Sequence, residues 1–142
     1  MMVKNLAITV LTWNDWENTV KCLESIYQSS FQEFDVILVN NNSDQKHIDK
    51  IFDWSKNKIK VEDEEINFNP EKNIEIIYVD DQLIVDRKGQ KKIYLIDSKA
   101  KKNERWAVNL GCTAGLNLGY KFSLKQNYDY IGRIDCDFII TD

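Results

Sequence analysis

The 142-residue chain carries 23 acidic and 19 basic residues, which give it a formal net charge of −4. Hydrophobic residues make up 43% of it and there is one proline, a composition typical of a folded globular domain and not of a disordered chain. The length predicts a single domain over residues 1–142. Because the acidic balance offers no basic surface, we expect no nucleic-acid partner.

The three cysteines, Cys22, Cys112 and Cys136, are far apart and follow neither a disulfide framework nor a metal-binding spacing. This scattered spacing favours reduced thiols over disulfides. The sequence shows no secretory signal, and no apolar run approaches the ~20 residues that a membrane span needs. We therefore expect a cytoplasmic protein, or a domain at the inner face of a membrane if the parent chain is longer.

The first forty residues predict a strand, a helix and a second strand. Leu6–Thr12 and Phe34–Asn40 are nearly continuous apolar runs, which is typical of central strands in a parallel sheet. Between them, residues 15–28 have amphipathic helical spacing, and Asn14 with Glu17 three positions later predicts a capping box. Such a βαβ unit closes right-handed and parallel, so the predicted fold class is α/β.

The middle of the chain predicts a further helix and more strands. Ser43 is placed to cap a helix over residues 44–56, and residues 73–79 predict a third strand. Residues 82–86 and 91–97 flank a short turn and predict a β-hairpin. We expect a mostly parallel central sheet with this hairpin as an insertion.

Four of the five glycines lie in the last third of the chain. Gly111 is placed for a tight turn before a helix that runs to Gln126, and the free N–H groups at the start of this helix would receive a phosphate. Gly115 and Gly119 lie on one helical face and would let the helix approach the sheet closely. Packing alone is the alternative role for all three glycines.

The triplet Asp135-Cys136-Asp137 follows a predicted strand over residues 128–134. Because side chains alternate along a strand, we expect Asp135 and Asp137 to lie side by side at the edge of the sheet. Two such carboxylates predict a Mg²⁺ or Mn²⁺ site that would in turn hold phosphate oxygens. The alternative is a solvated carboxylate pair. Their charge disfavours a thiolate at Cys136, so we do not expect this cysteine to be a nucleophile.

Polar segments follow three of the predicted strands, at residues 12–14, 40–44 and 135–137. Ligands of open parallel sheets bind beyond the carboxyl ends of the strands, so we expect these segments to border one site. A basic stretch follows the predicted hairpin and allows two interpretations, a diphosphate contact or a solvated loop. Its residues are Lys99, Lys101, Lys102 and Arg105.

Four segments, in this order, resemble the family 2 glycosyltransferases of the GT-A fold. They are Thr12-Trp13-Asn14, Val39-Asn40-Asn41-Asn42-Ser43, the stretch from Asn109-Leu110-Gly111 to Asn117-Leu118-Gly119, and the Asp-x-Asp triplet. The resemblance spans nearly the whole chain and implies a Rossmann-like, three-layer sandwich. It also implies transfer of a sugar from a nucleotide-diphosphate sugar to an acceptor hydroxyl, with inversion as the family's usual outcome and Mn²⁺ or Mg²⁺ as cofactor.

The resemblance also implies roles for particular residues. Asp137, together with Asp135, would bind the metal that bridges the diphosphate, and Asp135 would face the ribose or the sugar. Asn40 falls where the family has an acidic residue that hydrogen-bonds the base. The implied donor-binding residues are Thr12, Asn14, Asn40, Asn42, Asn109, Gly111, Asn117 and Asp135.

Departures from the family pattern leave other functions open. Asn40 replaces the usual aspartate, and Leu116 stands where many relatives have a polar or basic residue. The chain ends before the acceptor-binding half that supplies the general base in relatives, so no catalytic residue is nominated. A sheet cut there would leave an edge strand uncovered, from which we expect self-association.

Two other functions compete with sugar transfer. One is a catalytically inactive nucleotide-binding or regulatory module, which the asparagine at position 40 and the missing general base favour. The other is a metal-dependent nucleotidyltransferase, although residues 12–15 lack the Gly-rich loop with Arg or Lys that is typical of that class after the first strand.

Overall fold

The computed structural model describes residues 3–66, 68–98 and 109–141. The elements in chain order are β1 Leu6–Thr12, α1 Trp16–Gln28, β2 Phe34–Asn40, α2 Gln45–Ser55, β3 Glu75–Tyr78, β4 Lys92–Asp97, α3 Cys112–Lys125 and β5 Tyr130–Arg133. The described strands form one sheet in the order β3-β4-β2-β1-β5, and every neighbouring pair is parallel. None of the helices in the described ranges is long and apolar enough to cross a membrane.

β1 and β2 form the centre of the sheet. All seven residues of β1 pair in register with those of β2, from Leu6 with Phe34 to Thr12 with Asn40. Every residue of β2 is buried, because layers of helix cover both faces of the strand. Two-sided burial accounts for the nearly continuous apolar run and confirms the predicted parallel βαβ unit.

Alternate residues of the central strands face opposite layers of helix. On one side, a core cluster joins the sheet to α1 and α2, with members that include Ile8, Val10, Val36, Leu38, Leu23 and Ile51. On the other side, a second cluster joins the sheet to α3, with members that include Ala7, Ile37, Tyr94 and Phe122. The result is a Rossmann-like, three-layer α/β sandwich, as the sequence predicts.

The predicted β-hairpin does not form. Residues 82–86 adopt no strand, and Lys92–Asp97 becomes β4, which lies between β2 and β3 and is parallel to both. The reason is burial, since Ile93, Tyr94 and Leu95 are at most 1% exposed. A strand of a projecting hairpin would expose one face, whereas an interior strand of a parallel sheet buries both. The prediction of a hairpin insertion was therefore wrong.

The first turns of two helices also differ from the predictions. α1 is capped by Asp15, whose carboxylate accepts the N–H of Asn18, and not by Asn14. Asn14 has a φ of 48° and belongs to the connection between β1 and α1. α2 begins after Asp44 with no side-chain cap, because the Ser43 hydroxyl instead accepts the N–H of Asn14 at 2.9 Å.

Two glycines let α3 lie directly on the sheet. A Cβ atom at Gly119 would lie 2.6 Å from Cγ2 of Thr9, closer than side chains pack. At Gly115, one turn earlier, it would lie 2.8 Å from Cδ1 of Leu11. The predicted packing role of both glycines is confirmed.

A buried polar cluster connects the amino end of the sheet to the loop before β4. Lys4 Nζ lies 3.1 Å from Oδ1 of Asp35, and both side chains are almost fully buried. The Tyr128 hydroxyl donates to Oδ2 of Asp35 at 2.7 Å. Burial raises the pKa of the Asp35 carboxyl, while the bonds from Tyr128 and Lys4 oppose that rise. Lys4 Nζ also donates to the carbonyl of Gln90 at 2.9 Å, which holds the loop in place.

The substitution Tyr128→Phe tests this cluster. Removing the hydroxyl leaves one oxygen of the buried Asp35 carboxylate without its donor, so we expect the free energy of unfolding to fall by about 1–3 kcal/mol. Urea denaturation measures the change. Tyr130→Phe is the matched control, because Tyr130 is 70% exposed. Equal effects of the two substitutions would show that the Tyr128 hydroxyl contributes nothing specific.

Candidate functional site

The candidate site lies where the strand order changes direction. β2 follows β1 along the chain and pairs with one side of it, whereas β5 pairs with the other side. In open parallel sheets, ligands bind beyond the carboxyl ends of the strands at such a switch point. A pocket of about 330 Å³ opens there. Its lining residues are Leu11, Asp15, Cys112, Leu116, Arg133, Asp135, Cys136 and Asp137.

A larger pocket of about 700 Å³ lies in the segment between α2 and β3. Its lining comes from residues 60–70 alone, including Lys60, Glu62 and Phe68, and no strand end contributes to it. The smaller pocket combines residues from the end of β1, the start of α3 and the turn after β5. We place the candidate site at the smaller pocket because several elements of the fold converge there.

The aspartate triplet lies in a turn and not on the strand. β5 ends at Arg133, and the N–H of Phe138 donates to the carbonyl of Asp135 at 3.0 Å, which closes the turn. The period of two, from which the side-by-side placement of the two carboxylates was predicted, does not continue into a turn. Both carboxylates nevertheless line the same pocket.

Arg133 distinguishes the two carboxylates. Its Nε donates to Oδ1 of Asp135 at 3.0 Å, and its Nη2 lies 2.9 Å from the same oxygen. This contact raises the pKa of the Arg133 guanidinium. Asp137 is exposed, and its side chain forms neither a hydrogen bond nor an ion pair with the described residues. The pocket therefore has one neutralised carboxylate and one that is open to a cation.

The carboxylates suit a metal ion only in combination with a ligand. Across residues 3–66, 68–98 and 109–141, no group of three or more His, Cys, Asp or Glu side chains is placed to hold a metal. Mg²⁺ is commonly bound by one or two protein carboxylates, and water and substrate phosphates complete its shell. Asp135 and Asp137 are fewer than such a group, so a metal held by them would need further ligands from outside the described residues.

Cys22 of α1 and Cys136 of the triplet are poor nucleophiles. Burial, together with the charges of Cys136 and Asp137, raises the pKa of the Cys22 thiol to about 12. Burial is also the largest cause of the raised pKa of Cys136, and the carboxylates of Asp15 and Asp137 act in the same direction. The prediction of a disfavoured thiolate at Cys136 is confirmed, with burial contributing more than the aspartates.

Both polar atoms of the Asn40 side chain are hydrogen-bonded within the protein. Its Oδ1 accepts the N–H of Ser43 at 2.9 Å, and its Nδ2 donates to Oδ1 of Asp97 at 2.8 Å. Asn40 is only 8% exposed, whereas Asp97 at the end of β4 is exposed. The sequence interpretation missed Asp97 as a residue of this edge because it placed the segment in a hairpin. The acidic residue that closes an apolar run was the available signal.

The side chain of Thr12 connects the end of β1 to α1, and that of Asn14 connects the loops after β1 and β2. The Thr12 hydroxyl, 1% exposed, shares a 2.8 Å hydrogen bond with the hydroxyl of Thr19 in α1. Oδ1 of Asn14 accepts the N–H of Asp44 at 2.7 Å. The structure thus brings Thr12, Asn14 and Asn40 to one edge of the sheet, but none of the three lines the pocket.

Asn41, which the sequence interpretation did not single out, fixes the start of α3. It is 2% exposed, its Oδ1 accepts the N–H of Leu110 at 3.0 Å, and its Nδ2 donates to the carbonyl of Gly111 at 3.2 Å. Oδ1 of Asn109 accepts the N–H of Gly111 at 2.8 Å. Gly111 has a φ of 80°, so the predicted tight turn before the helix is confirmed.

The start of α3, where Cys112 lines the pocket, has backbone donors without partners in the helix. The first bond inside the helix runs from the N–H of Gly115 to the carbonyl of Gly111, and no side chain caps the helix. The N–H groups of Cys112, Thr113 and Ala114 therefore have no acceptor within the helix. Such a terminus favours an anion. Arg133 lies beside it, with Nη2 donating to Sγ of Cys112 at 3.8 Å.

The other predicted residues lie around this edge. Asn117 is exposed on α3, and Asn42 has a φ of 67° in the half-buried loop after β2. The predicted basic stretch, Lys99 to Arg105, lies outside the described residues. Leu116, 4% exposed, lines the pocket with an apolar side chain.

Neither a protein-family model nor a curated protein sequence matches this chain. The class that the structure defines is a Rossmann-like α/β domain with a pocket at its switch point.

The substitution Asn41→Ala tests whether this buried amide positions α3. It removes two hydrogen bonds to residues 110–111 and leaves their backbone groups without these partners. We expect the free energy of unfolding to fall by about 1–3 kcal/mol, with faster hydrogen exchange at the start of α3. Urea denaturation and exchange measurements check this. Asn117→Ala is the control on the exposed face, and an equally small effect of both substitutions would contradict the role of Asn41.

Proposed function

We propose that this chain is a nucleotide-sugar-binding domain of a glycosyltransferase with the GT-A fold. It would hold a nucleotide-diphosphate sugar through Mn²⁺ or Mg²⁺, for transfer to a hydroxyl of a glycan or another acceptor. The fold class agrees with the fold that the sequence resemblance implies. The single observation that carries the proposal is the pocket at the switch point, which combines cation-binding and anion-binding groups.

The diphosphate would occupy the space between α3 and the turn after β5. The open N–H groups of residues 112–114 and the guanidinium of Arg133 are donors for phosphate oxygens. Asp137 offers the carboxylate that a bridging metal requires, with Asp135 beside it. When bound, such a metal would neutralise the charge on the diphosphate leaving group. This arrangement explains why carboxylates and anion-binding donors occur in one pocket.

The base would lie toward β2 and β4. Asn40 does not supply the carboxylate that relatives have after the second strand, but its amide binds the Asp97 carboxylate at 2.8 Å. A negative charge is therefore retained at this edge, on a neighbouring strand. This contact supports nucleotide binding in spite of the asparagine at position 40.

A nucleotide-binding module without catalysis is the second candidate function. It is favoured by one specific observation: of the carboxylates that line the pocket, Asp15 caps α1, Asp135 pairs with Arg133 and Asp137 is assigned to the metal. None is left for the general base that an inverting transfer needs. The nucleotidyltransferase alternative has less support. The connection from β1 to α1 has Asp15 as helix cap and contains no glycine, so it forms no phosphate-binding loop there.

Calorimetric titration with UDP and GDP, with and without Mn²⁺, tests the proposal. We expect Mn²⁺-dependent binding, because the metal would bridge Asp137 and the diphosphate. Asp137→Asn should lower the affinity in Mn²⁺ at least tenfold and have little effect on any binding without metal. Asp81→Asn, in an exposed loop outside the pocket, is the matched control.

The outcomes separate the two candidate functions. Metal-dependent binding followed by slow release of free sugar from the nucleotide sugar would support a transferase domain. Binding without metal that Arg133→Gln abolishes would favour the nucleotide-binding module. A folded protein that binds neither nucleotide under any of these conditions would contradict both.

A further inference from the structure

Arg133 is the last residue of β5, and its side chain extends toward the start of α3. The register with β1 sets Arg133 beside Thr9, and neighbouring residues of a paired register share one face of the sheet. Thr9 faces α3, because a Cβ atom at Gly119 of that helix would lie 2.6 Å from Cγ2 of Thr9. Nη2 of Arg133 reaches to 3.8 Å from Sγ of Cys112, the first residue of α3. The guanidinium thus lies between the start of the helix and the aspartate triplet.

The guanidinium contacts a single oxygen of Asp135 with two of its nitrogens. Nε lies 3.0 Å from Oδ1 of Asp135, and Nη2 lies 2.9 Å from the same atom. The strongest pairs of arginine with a carboxylate are different, because each of the two carboxylate oxygens accepts its own N–H. The side chains of Arg133 and Asp135 are 45% and 47% exposed, and ion pairs at such exposure contribute little to stability. This pair can therefore exchange partners readily.

The position of Asp135 does not depend on this ion pair. The N–H of Phe138 donates to the carbonyl of Asp135 at 3.0 Å, and Sγ of Cys22 donates to the same carbonyl at 3.6 Å. These bonds are made to the backbone of residue 135 and do not involve its side chain. Asp135 therefore stays at the pocket when the guanidinium changes its partner.

The Arg133 guanidinium and a divalent cation are competitors for the carboxylate of Asp135. Carboxylate oxygens are the ligands that Mg²⁺ and Mn²⁺ prefer, whereas a guanidinium in contact with Oδ1 neutralises this carboxylate and repels a second positive charge. Asp137 is then the carboxylate of the triplet that stays open. Mg²⁺ sites with one or two carboxylates draw their other ligands from water and substrate phosphates. The pocket is therefore poorly suited to a cation without a phosphate ligand.

We infer that Arg133 makes cation binding in this pocket conditional on a diphosphate. The inference rests on the proposed function and specifies how its site is regulated. In the free chain, the guanidinium holds Asp135. A diphosphate at the start of α3 offers the guanidinium oxygens with more negative charge, so that Arg133 leaves Asp135 and binds a phosphate. Asp135 then becomes available, together with Asp137, to a cation that shares the same phosphates.

Mn²⁺ binding without nucleotide, measured by calorimetry and by the paramagnetic resonance signal of free Mn²⁺, tests the competition. We expect weak binding to the native chain and at least about tenfold tighter binding to Arg133→Gln, because this change frees Asp135 and removes a like charge. Lys125→Gln is the matched control, since it makes the same change in charge at the exposed last turn of α3, about 20 Å from its start. Circular dichroism confirms that each variant is folded.

The same titration in the presence of UDP tests the conditional step. In the native chain, UDP should raise the affinity for Mn²⁺ at least about tenfold, and Mn²⁺ should raise that for UDP by the same factor. This factor should be smaller in Arg133→Gln, in which Asp135 is already free. The double variant Arg133→Gln, Asp135→Asn should lose the gain in Mn²⁺ affinity, which would locate the gained cation at the triplet.

The outcomes separate this inference from the proposed function. Arg133→Gln that binds Mn²⁺ no more tightly than the native chain, or a gain that persists in the double variant, would overturn the inference, even where the native chain binds UDP with Mn²⁺. A native chain that binds neither UDP nor GDP would contradict the proposed function and with it the conditional step. Tighter Mn²⁺ binding by Arg133→Gln would in that case still support the competition for Asp135.

Discussion

The position of β1, with parallel partners on both sides, is the constraint on which the rest of the structure depends. Its backbone bonds align the carboxyl end of β2 with its own end at Thr12, while β5 ends at Arg133, opposite Thr9. Because a parallel crossover returns each strand in the same direction, the following loops all emerge at one edge. α3 can approach this edge only because Gly115 and Gly119 have no side chains. The pocket is a consequence of this alignment.

The polar residues at the edge divide into a framework and an open set. The framework consists of side-chain amides that are hydrogen-bonded to backbone groups or to neighbouring side chains, namely those of Asn14, Asn40 and Asn41. Asn40 and Asn41 are almost fully buried. Buried amides need such partners, since an unsatisfied one is costly. The exposed groups are different, because Arg133 and Asp137 border a cavity. Any ligand binding at this edge therefore depends on the exposed Arg133 and Asp137, and the buried asparagines of the framework fix the loops around them.

The sequence predicted the parallel core well and the later segments less well. Leu6–Thr12 and Phe34–Asn40 have apolar runs that only a strand buried on both faces explains, so their pairing was predictable. The same pattern in Lys92–Asp97 was assigned to a hairpin because a glycine and charged residues precede it. Short apolar runs do not reveal which strand they will pair with. The aspartate triplet was identified from the sequence, but its backbone forms a turn and does not extend the strand.

Local residue types thus determined the α/β class, the order of the helices and strands apart from the strand predicted at residues 82–86, and the concentration of Asn, Asp and Gly at the strand ends. They did so because side-chain periodicity and turn chemistry act over a few residues. Only the tertiary structure decided that β4 lies inside the sheet, that Asp97 meets Asn40, that Asn41 holds the start of α3 and that Arg133 neutralises Asp135. Those contacts join residues that are distant in the chain, and packing of the two helix layers selects them.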